Sequence, residues 1–119
     1  MNFNDLKNAV QLLSALEVEK SPVGQAASVG RKVIVRSRDA GVLYGEFSGN
    51  DGSTVHLKNA RQLWKWFAAK GISLVDVATF GVKQKECKFS TAQATITIFN
   101  ACALIDVSDE AAASIEAVA

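Results

Sequence analysis

Residues 32–60 carry the clearest alternation of hydrophobic and polar positions in the chain. Val33 and Val35 share one face of an extended segment, and Asp39-Ala40-Gly41 turns the chain. Val42, Tyr44 and Glu46 then alternate with Leu43, Gly45 and Phe47. Gly49-Asn50-Asp51-Gly52 turns it again, and Val55 and Leu57 alternate with His56 and Lys58. Period-two alternation bounded by Gly, Asn and Asp clusters predicts an antiparallel meander of three strands.

Upstream, Leu6, Ala9, Val10, Leu13 and Leu16 recur at three- and four-residue spacing. They predict an amphipathic helix over Asn4–Val18, capped at Asn2 or Asn4 and ended by Pro22. Lys20–Gly30 (KSPVGQAASVG) reads as a linker. The chain thus divides into an N-terminal helix and linker, residues 1–30, and a β-rich domain, residues 31–119. The helix either docks on a neighbouring subunit or covers its own domain.

Residues 59–67 (NARQLWKWF) fit two periods. As a helix, Ala60, Leu63, Trp64 and Phe67 make a stripe. As a strand, Trp64 and Trp66 share one face, Leu63 and Phe67 the other. The run-on from Leu57 and the aromatic content favour the strand. Trp64 is the more core-like of the two tryptophans, Trp66 the better ligand or interface residue. Ser73-Leu74-Val75-Asp76 has the form of a capping box opening a short helix, with Gly81 as its stop. Lys83–Lys88 (KQKECK) reads as a charged loop. Ala94–Val107 is the final strand region, bent at Asn100 so that one long strand serves two sides of a barrel. Ser108-Asp109-Glu110 caps a C-terminal helix whose Ile115 and Val118 face inward.

Composition narrows the class. The 119 residues are 49% hydrophobic and 21% charged, which suits one globular domain rather than a disordered chain. Asp5, Lys7, Glu17 and Glu19 interrupt any leader-like apolar run, and no stretch is long enough to span a bilayer. Two cysteines, Cys87 and Cys102, are too few for a disulfide framework and read as buried, reduced thiols. With the single His56 they fall short of a zinc site, and no metal or other cofactor is expected. The net charge of +1 hides a segregation. Residues 31–88 hold eleven Lys/Arg against five acids, whereas residues 89–119 hold four acids and no Lys or Arg. Such a layout suits a phosphate-bearing or acidic partner, or pairing of an acidic tail with a basic surface of another copy.

The sequence holds no P-loop, no G-x-G-x-x-G, no H-E-x-x-H and no evident nucleophile–histidine spacing, so the expectation is a non-enzyme. His56 reads as a polar strand residue. The chemistry that remains is Arg36 and Arg38 on the first strand with Asn59, Arg61, Lys65 and Trp66. Aromatic planes interleaved with guanidinium and ammonium groups suit bases and phosphates, because rings stack while cations grip phosphate oxygens.

Two resemblances attach to these residues. The spacing from Val33 to Ala60, with a bend at Gly45, resembles the opening of an SH3-like or Sm-like small barrel. The implied class is α+β: a small antiparallel β-barrel with an N-terminal amphipathic helix, an inserted short helix and a C-terminal helix. Sm-like proteins form rings and bind RNA, but their uracil-recognition loops have no clear counterpart here. The strings VRSRDAGV, NARQLWKW and ECKF, across roughly Val33–Val107, are similar to a family of small phage and prophage proteins of unknown function. That similarity implies a phage protein acting in the bacterial host cytoplasm or carried in the virion. Three functions are then expected to compete: a homo-oligomeric binding protein engaging a host protein or nucleotide-type ligand, with an anti-defence role; a virion decoration or connector subunit; and an Sm-like RNA binder.

Overall fold

The computed structural model describes residues 29–119. The helix expected over Asn4–Val18 and most of its linker lie outside the described residues. Within them the order is β1 (Lys32–Ser37), β2 (Gly41–Asp51), β3 (Thr54–Lys65), α1 (Leu74–Phe80), a 3-10 turn (Gln84–Glu86), β4 (Lys88–Phe89), β5 (Gln93–Ile98), β6 (Ala101–Asp106) and α2 (Asp109–Glu116). The class is α+β, a mostly antiparallel sheet with two helices.

The three-strand meander forms as the alternation predicts, with β1 on β2 and β2 on β3, all antiparallel. Residues 59–65 continue β3 as a strand rather than opening a helix. The far edge of β3 takes two partners in succession: β5 along Val55–Ala60, then β4 at Leu63 and Lys65. β6 lies on the other side, against β1. The expected final strand is therefore split. Phe99 and Asn100 separate β5 from β6, Asn100 takes a left-handed φ of 55°, and the two halves pair at opposite ends of the sheet. Two bonds pin this corner: the Ser37 hydroxyl donates to the Phe99 carbonyl (3.0 Å), and the Ala101 N–H donates to Ser53 (2.8 Å). No ladder joins β5 to β6, so the sheet is open and the closed barrel is not formed.

Both faces of the sheet are covered. Val33, Val35, Leu43, Phe47, Val55, Leu57, Ala60 and Ile98 build one apolar cluster. Ile34, Tyr44 and Leu63 face the other way and meet Val77, Ala78, Ala111 and Ile115 of the helices. Val33, Ile34 and Val35 are all fully buried, so β1 has no solvent face at its centre. At about 1.5–3 kcal/mol for each large aliphatic side chain removed from water, these two layers dominate the stabilisation.

Between Tyr44 and Glu46 the β2–β3 register shifts, and Asn59 and Ala60 together oppose Gly45. Asn59 adopts φ 49°, as the extra residue of a bulge often does. A Cβ on Gly45 would meet Ala60 Cβ at 3.0 Å and the Lys58 carbonyl at 3.1 Å, so this crossing requires glycine. The capping box is present: Ser73 accepts from the Asp76 N–H (3.2 Å) while Asp76 accepts from the Ser73 N–H (3.1 Å). Gly81 ends α1 at φ 92°, and Ser108 caps α2 by accepting from the Ala111 N–H at 3.1 Å. Ile115 and Val118 are buried, as their spacing predicts.

Candidate ligand-binding surface

The six residues singled out from the sequence do not form one site. Asn59 and Arg61, midway along β3, border a cleft of about 430 Å³ with Lys32, Tyr44, Glu46 and Glu116. The register places Arg36, Arg38, Lys65 and Trp66 toward the other end of the sheet, where β1 turns into β2 and β3 finishes. Arg36 and Arg38 are exposed there.

The charges of the first cleft are spent within the domain. Arg61 is a strap: its Nε donates to the Ser90 carbonyl (2.7 Å), and one terminal nitrogen donates to the carbonyls of Val118 (2.9 Å) and Ile115 (3.4 Å). Its guanidinium also lies 5.4 Å from the centre of the Phe89 ring. The fork thus supplies a donor to the Val118 carbonyl just past α2 and a second one to the Ile115 carbonyl, which also accepts from the Val118 N–H at 3.2 Å. Asn59 donates to Glu46 (3.3 Å), and Lys32 pairs with Glu116 (2.7 Å). The acidic C-terminal stretch therefore meets basic residues of its own domain, with Arg31–Asp106 (3.4 Å) as a second pair.

Tyr44 completes this cluster. Its side chain is buried and its hydroxyl donates to the same Glu116 carboxylate at 2.5 Å. Lys32 first, and then the Tyr44 hydroxyl, hold the Glu116 carboxyl below its usual value. Burial, reinforced by that carboxylate, pushes the phenol well above its ordinary value of 10. The stabilisation linked to the un-ionised phenol is full below pH 10 and declines as the pH rises above it, because the unfolded chain then releases the proton first. Tyr44 is the chain's sole tyrosine, so phenolate absorbance reports it alone. The native protein is expected to show essentially no phenolate at pH 10, with ionisation coinciding with alkaline unfolding. A midpoint near 10 with native circular dichroism would contradict the buried bond.

The opposite end of the sheet differs. Lys65, Phe67, Lys85, Glu86, Cys87 and Lys88 line a cleft of about 260 Å³. A neighbouring cleft of about 390 Å³ shares Phe67 and adds Trp66, Ala68, Gly71, Ile72 and Lys83. Among the described residues, none of these four lysines has a carboxylate within 4.0 Å. Lys65 instead holds its ammonium 5.8 Å from the Phe67 ring centre. Among the described residues, five of the seven exposed large hydrophobic side chains, Trp64, Phe67, Ile72, Val75 and Phe80, fall in this part of the chain.

The two tryptophans exchange their expected roles. Trp64 is 74% exposed, whereas Trp66 is half-buried against the helix-side core. A register shift between Leu63 and Lys65 and the end of β3 at Lys65 break the alternation that would have put both on one face. Cys87 is half-buried, its sulfur accepting from the Phe67 N–H (3.4 Å), and Cys102 is exposed on β6, which corrects the expectation of two buried thiols. His56 sits on β3 with Nδ1 3.2 Å from Thr97 Oγ1. No group of three or more potential metal ligands occurs among the described residues, and no described helix is long and apolar enough to cross a membrane. Sequence reasoning passed over Lys83, Lys85, Lys88 and Phe67; the signal was the KQKECK run, which periodicity alone reads as a solvated loop.

The family described as Domain of unknown function (DUF6948) matches residues 30–115, which takes in the whole sheet, the two clefts that share Phe67 and nearly all of α2. The chain belongs to that family. No curated protein and no solved structure matches it. The DUF6948 match begins where β1 is about to start and leaves the N-terminal segment outside.

Proposed function

We propose that this DUF6948 protein is a phage-encoded, non-catalytic binding protein that holds a phosphate-bearing, nucleotide-type ligand at its lysine–aromatic end. The observation that carries the proposal is the cleft of Lys65, Lys85 and Lys88 around Phe67, where cations that have no carboxylate partner among the described residues border an exposed ring. Ammonium groups act as strong point donors to phosphate oxygens, and a ring accepts the face of any base. Arg36 and Arg38, at the same end of the sheet, add to the positive field. The Tyr44–Glu116–Lys32 cluster holds the domain together rather than serving a reaction.

Self-association belongs to the same proposal. β5 (QATITI) carries no charge, no proline and no glycine, and among the described residues it pairs only with β3. β6 is likewise paired only with β1 and has one charge, at Asp106. Strand edges with so little charge invite a second copy. The finer SH3-like or Sm-like reading of the sheet is also proposed, supported by β5 and β6 flanking opposite ends of the meander. The fitting setting is a bacterial cytoplasm during infection, where holding a nucleotide signal would blunt a host defence.

Calorimetric titration of the full chain with ATP, and separately with pyrophosphate, tests the site. ATP is expected to saturate and to bind more tightly than pyrophosphate, because base stacking adds about 1–3 kcal/mol. The triple variant K65A/K85A/K88A, with all three positions exposed, is expected to keep its fold and lose roughly 100-fold in affinity, from about 1 kcal/mol per exposed charged contact. A titration without heat at more than one temperature, or an unchanged Kd in the triple variant, would overturn the proposal.

A further inference from the structure

We propose that β5 is a dimerisation edge: two copies of the chain pair β5 with β5, antiparallel across a two-fold axis, and so join their sheets into one. The inference rests on self-association through strand edges and names the edge, the symmetry and the register. It uses none of the residues that line the lysine–aromatic clefts. The two outer strands differ in how they are guarded. β6 carries Asp106, which Arg31 meets at 3.4 Å; its register against β1 shifts between Arg36 and Ser37, and α1 packs beside it. Charge, irregularity and cover are what keep a strand edge from pairing. Among the described residues β5 has none of them. Its register against β3 runs without a shift from Val55↔Ile98 to Ala60↔Gln93, and QATITI holds no charge, proline or glycine. Alternate residues of such a strand turn their N–H and C=O groups away from β3, toward whatever adds to the sheet.

The occupant follows from the strand's own pattern. Ile96 and Ile98 face the apolar cluster on the side of the sheet away from the helices, and Ile96 is only half-buried there. Thr95 and Thr97 lie on the other face, with Thr97 Oγ1 3.2 Å from His56 Nδ1. A two-fold axis perpendicular to the sheet makes the paired strands antiparallel and keeps each face on its own side. Residues directly opposite one another must then share a face, so only every second register is allowed. Centring the pair on Ile96 sets that residue against its own copy and covers the flank the monomer leaves half open. Ala94 then lies opposite Ile98 and Thr95 opposite Thr97, pairings that stabilise a sheet without any charge. Phe99, 65% exposed, comes beside Gln93 of the second copy at either end. An edge of about 20 Å offers less area than the roughly 1,600 Å² of a standard complex, so the dimer is reversible and micromolar.

Sedimentation velocity of the full chain without added ligand, from about 1 μM to 1 mM, reads the assembly. Thr95 and Thr97 are exposed, so substitutions there should leave far-ultraviolet dichroism native. Wild type is expected to pass reversibly from monomer to dimer and no further, because a two-fold contact closes on itself. The variant T95E/T97E sets carboxylate opposite carboxylate twice and should weaken the dimer at least roughly tenfold. The variant T95E/T97K sets carboxylate opposite ammonium twice in the same register and should return the dimer to within about threefold of wild type. A dimer indifferent to T95E/T97E, or assembly beyond the dimer, would overturn β5 pairing while leaving self-association through another edge. Failure of T95E/T97K to restore the dimer would overturn the register, and a wild type that stays monomeric throughout would overturn both the inference and the self-association beneath it.

Discussion

Gly45→Val is expected to unfold the domain or to lower its midpoint of thermal unfolding by at least 12 °C or so, from about 4–8 °C per kcal/mol for a domain of this size. The cause is local and steric. Gly45 lies where β2 crosses the β3 bulge, and a Cβ there would stand 3.0 Å from Ala60 Cβ, 3.1 Å from Ala60 Cα and 3.1 Å from the Lys58 carbonyl. Two of these three contacts are with main chain, which cannot swing aside as a long side chain can. Neighbouring Tyr44 and Ala60 are buried in different layers, so a shift of β3 disturbs both at once. Overpacking of a tight interior costs about 1–3 kcal/mol, and the two further methyl groups of valine add to what a first Cβ already strains. Gly45→Ala should fall between wild type and valine. Chemical denaturation of the three proteins checks the order, and a valine variant with wild-type stability would refute the close crossing.

Arg61→Leu carries the second large effect, a loss of about 2–3 kcal/mol. The substitution removes donors from the carbonyls of Ser90, Ile115 and Val118 and takes the guanidinium from the Phe89 ring. Hydrogen bonds from charged donors contribute about 1.5–3 kcal/mol each when buried, and water recovers part of that at this half-buried site. Because Arg61 joins β3 to the residues after β4 and to the end of α2, hydrogen exchange should rise first in α2. Arg61→Lys should restore less than half of the loss, since an ammonium on a flexible stem cannot reproduce the fork. If Arg61→Leu were as stable as wild type yet weakened ATP binding tenfold, Arg61 would be a ligand contact and the strap would be wrong.

Much of the fold is legible along the chain because local chemistry decides it. The glycine and asparagine turns set the meander, Ser73 with Asp76 and Ser108 set the helix starts, and Asn100 marks the break between β5 and β6. What is not legible depends on partners distant in sequence. Val33, Ile34 and Val35 read as one strand, but only the helices on one side and β5 on the other explain why all three are buried. Trp64 and Trp66 cannot be assigned by alternation when the strand ends between them. The candidate site divides in the same way. Lys65 was apparent from the basic–aromatic string, yet its neighbours Lys85 and Lys88 join it only because β4 returns to pair Lys88 with Lys65. Arg61 reads as a ligand contact until the end of α2 arrives beneath it.

The proposed ligand site is the lysine–aromatic end, where a phosphate-bearing ligand would be held and not transformed. An NMR titration of the isotope-labelled full chain with ATP follows location and chemistry together. The expected result is saturable shifts confined to residues 64–70 and 83–88, with Lys32, Tyr44, Asn59 and Glu116 unmoved and the phosphorus spectrum of ATP intact after prolonged incubation. Shifts centred on the Tyr44–Glu116 cleft, or release of inorganic phosphate, would contradict it.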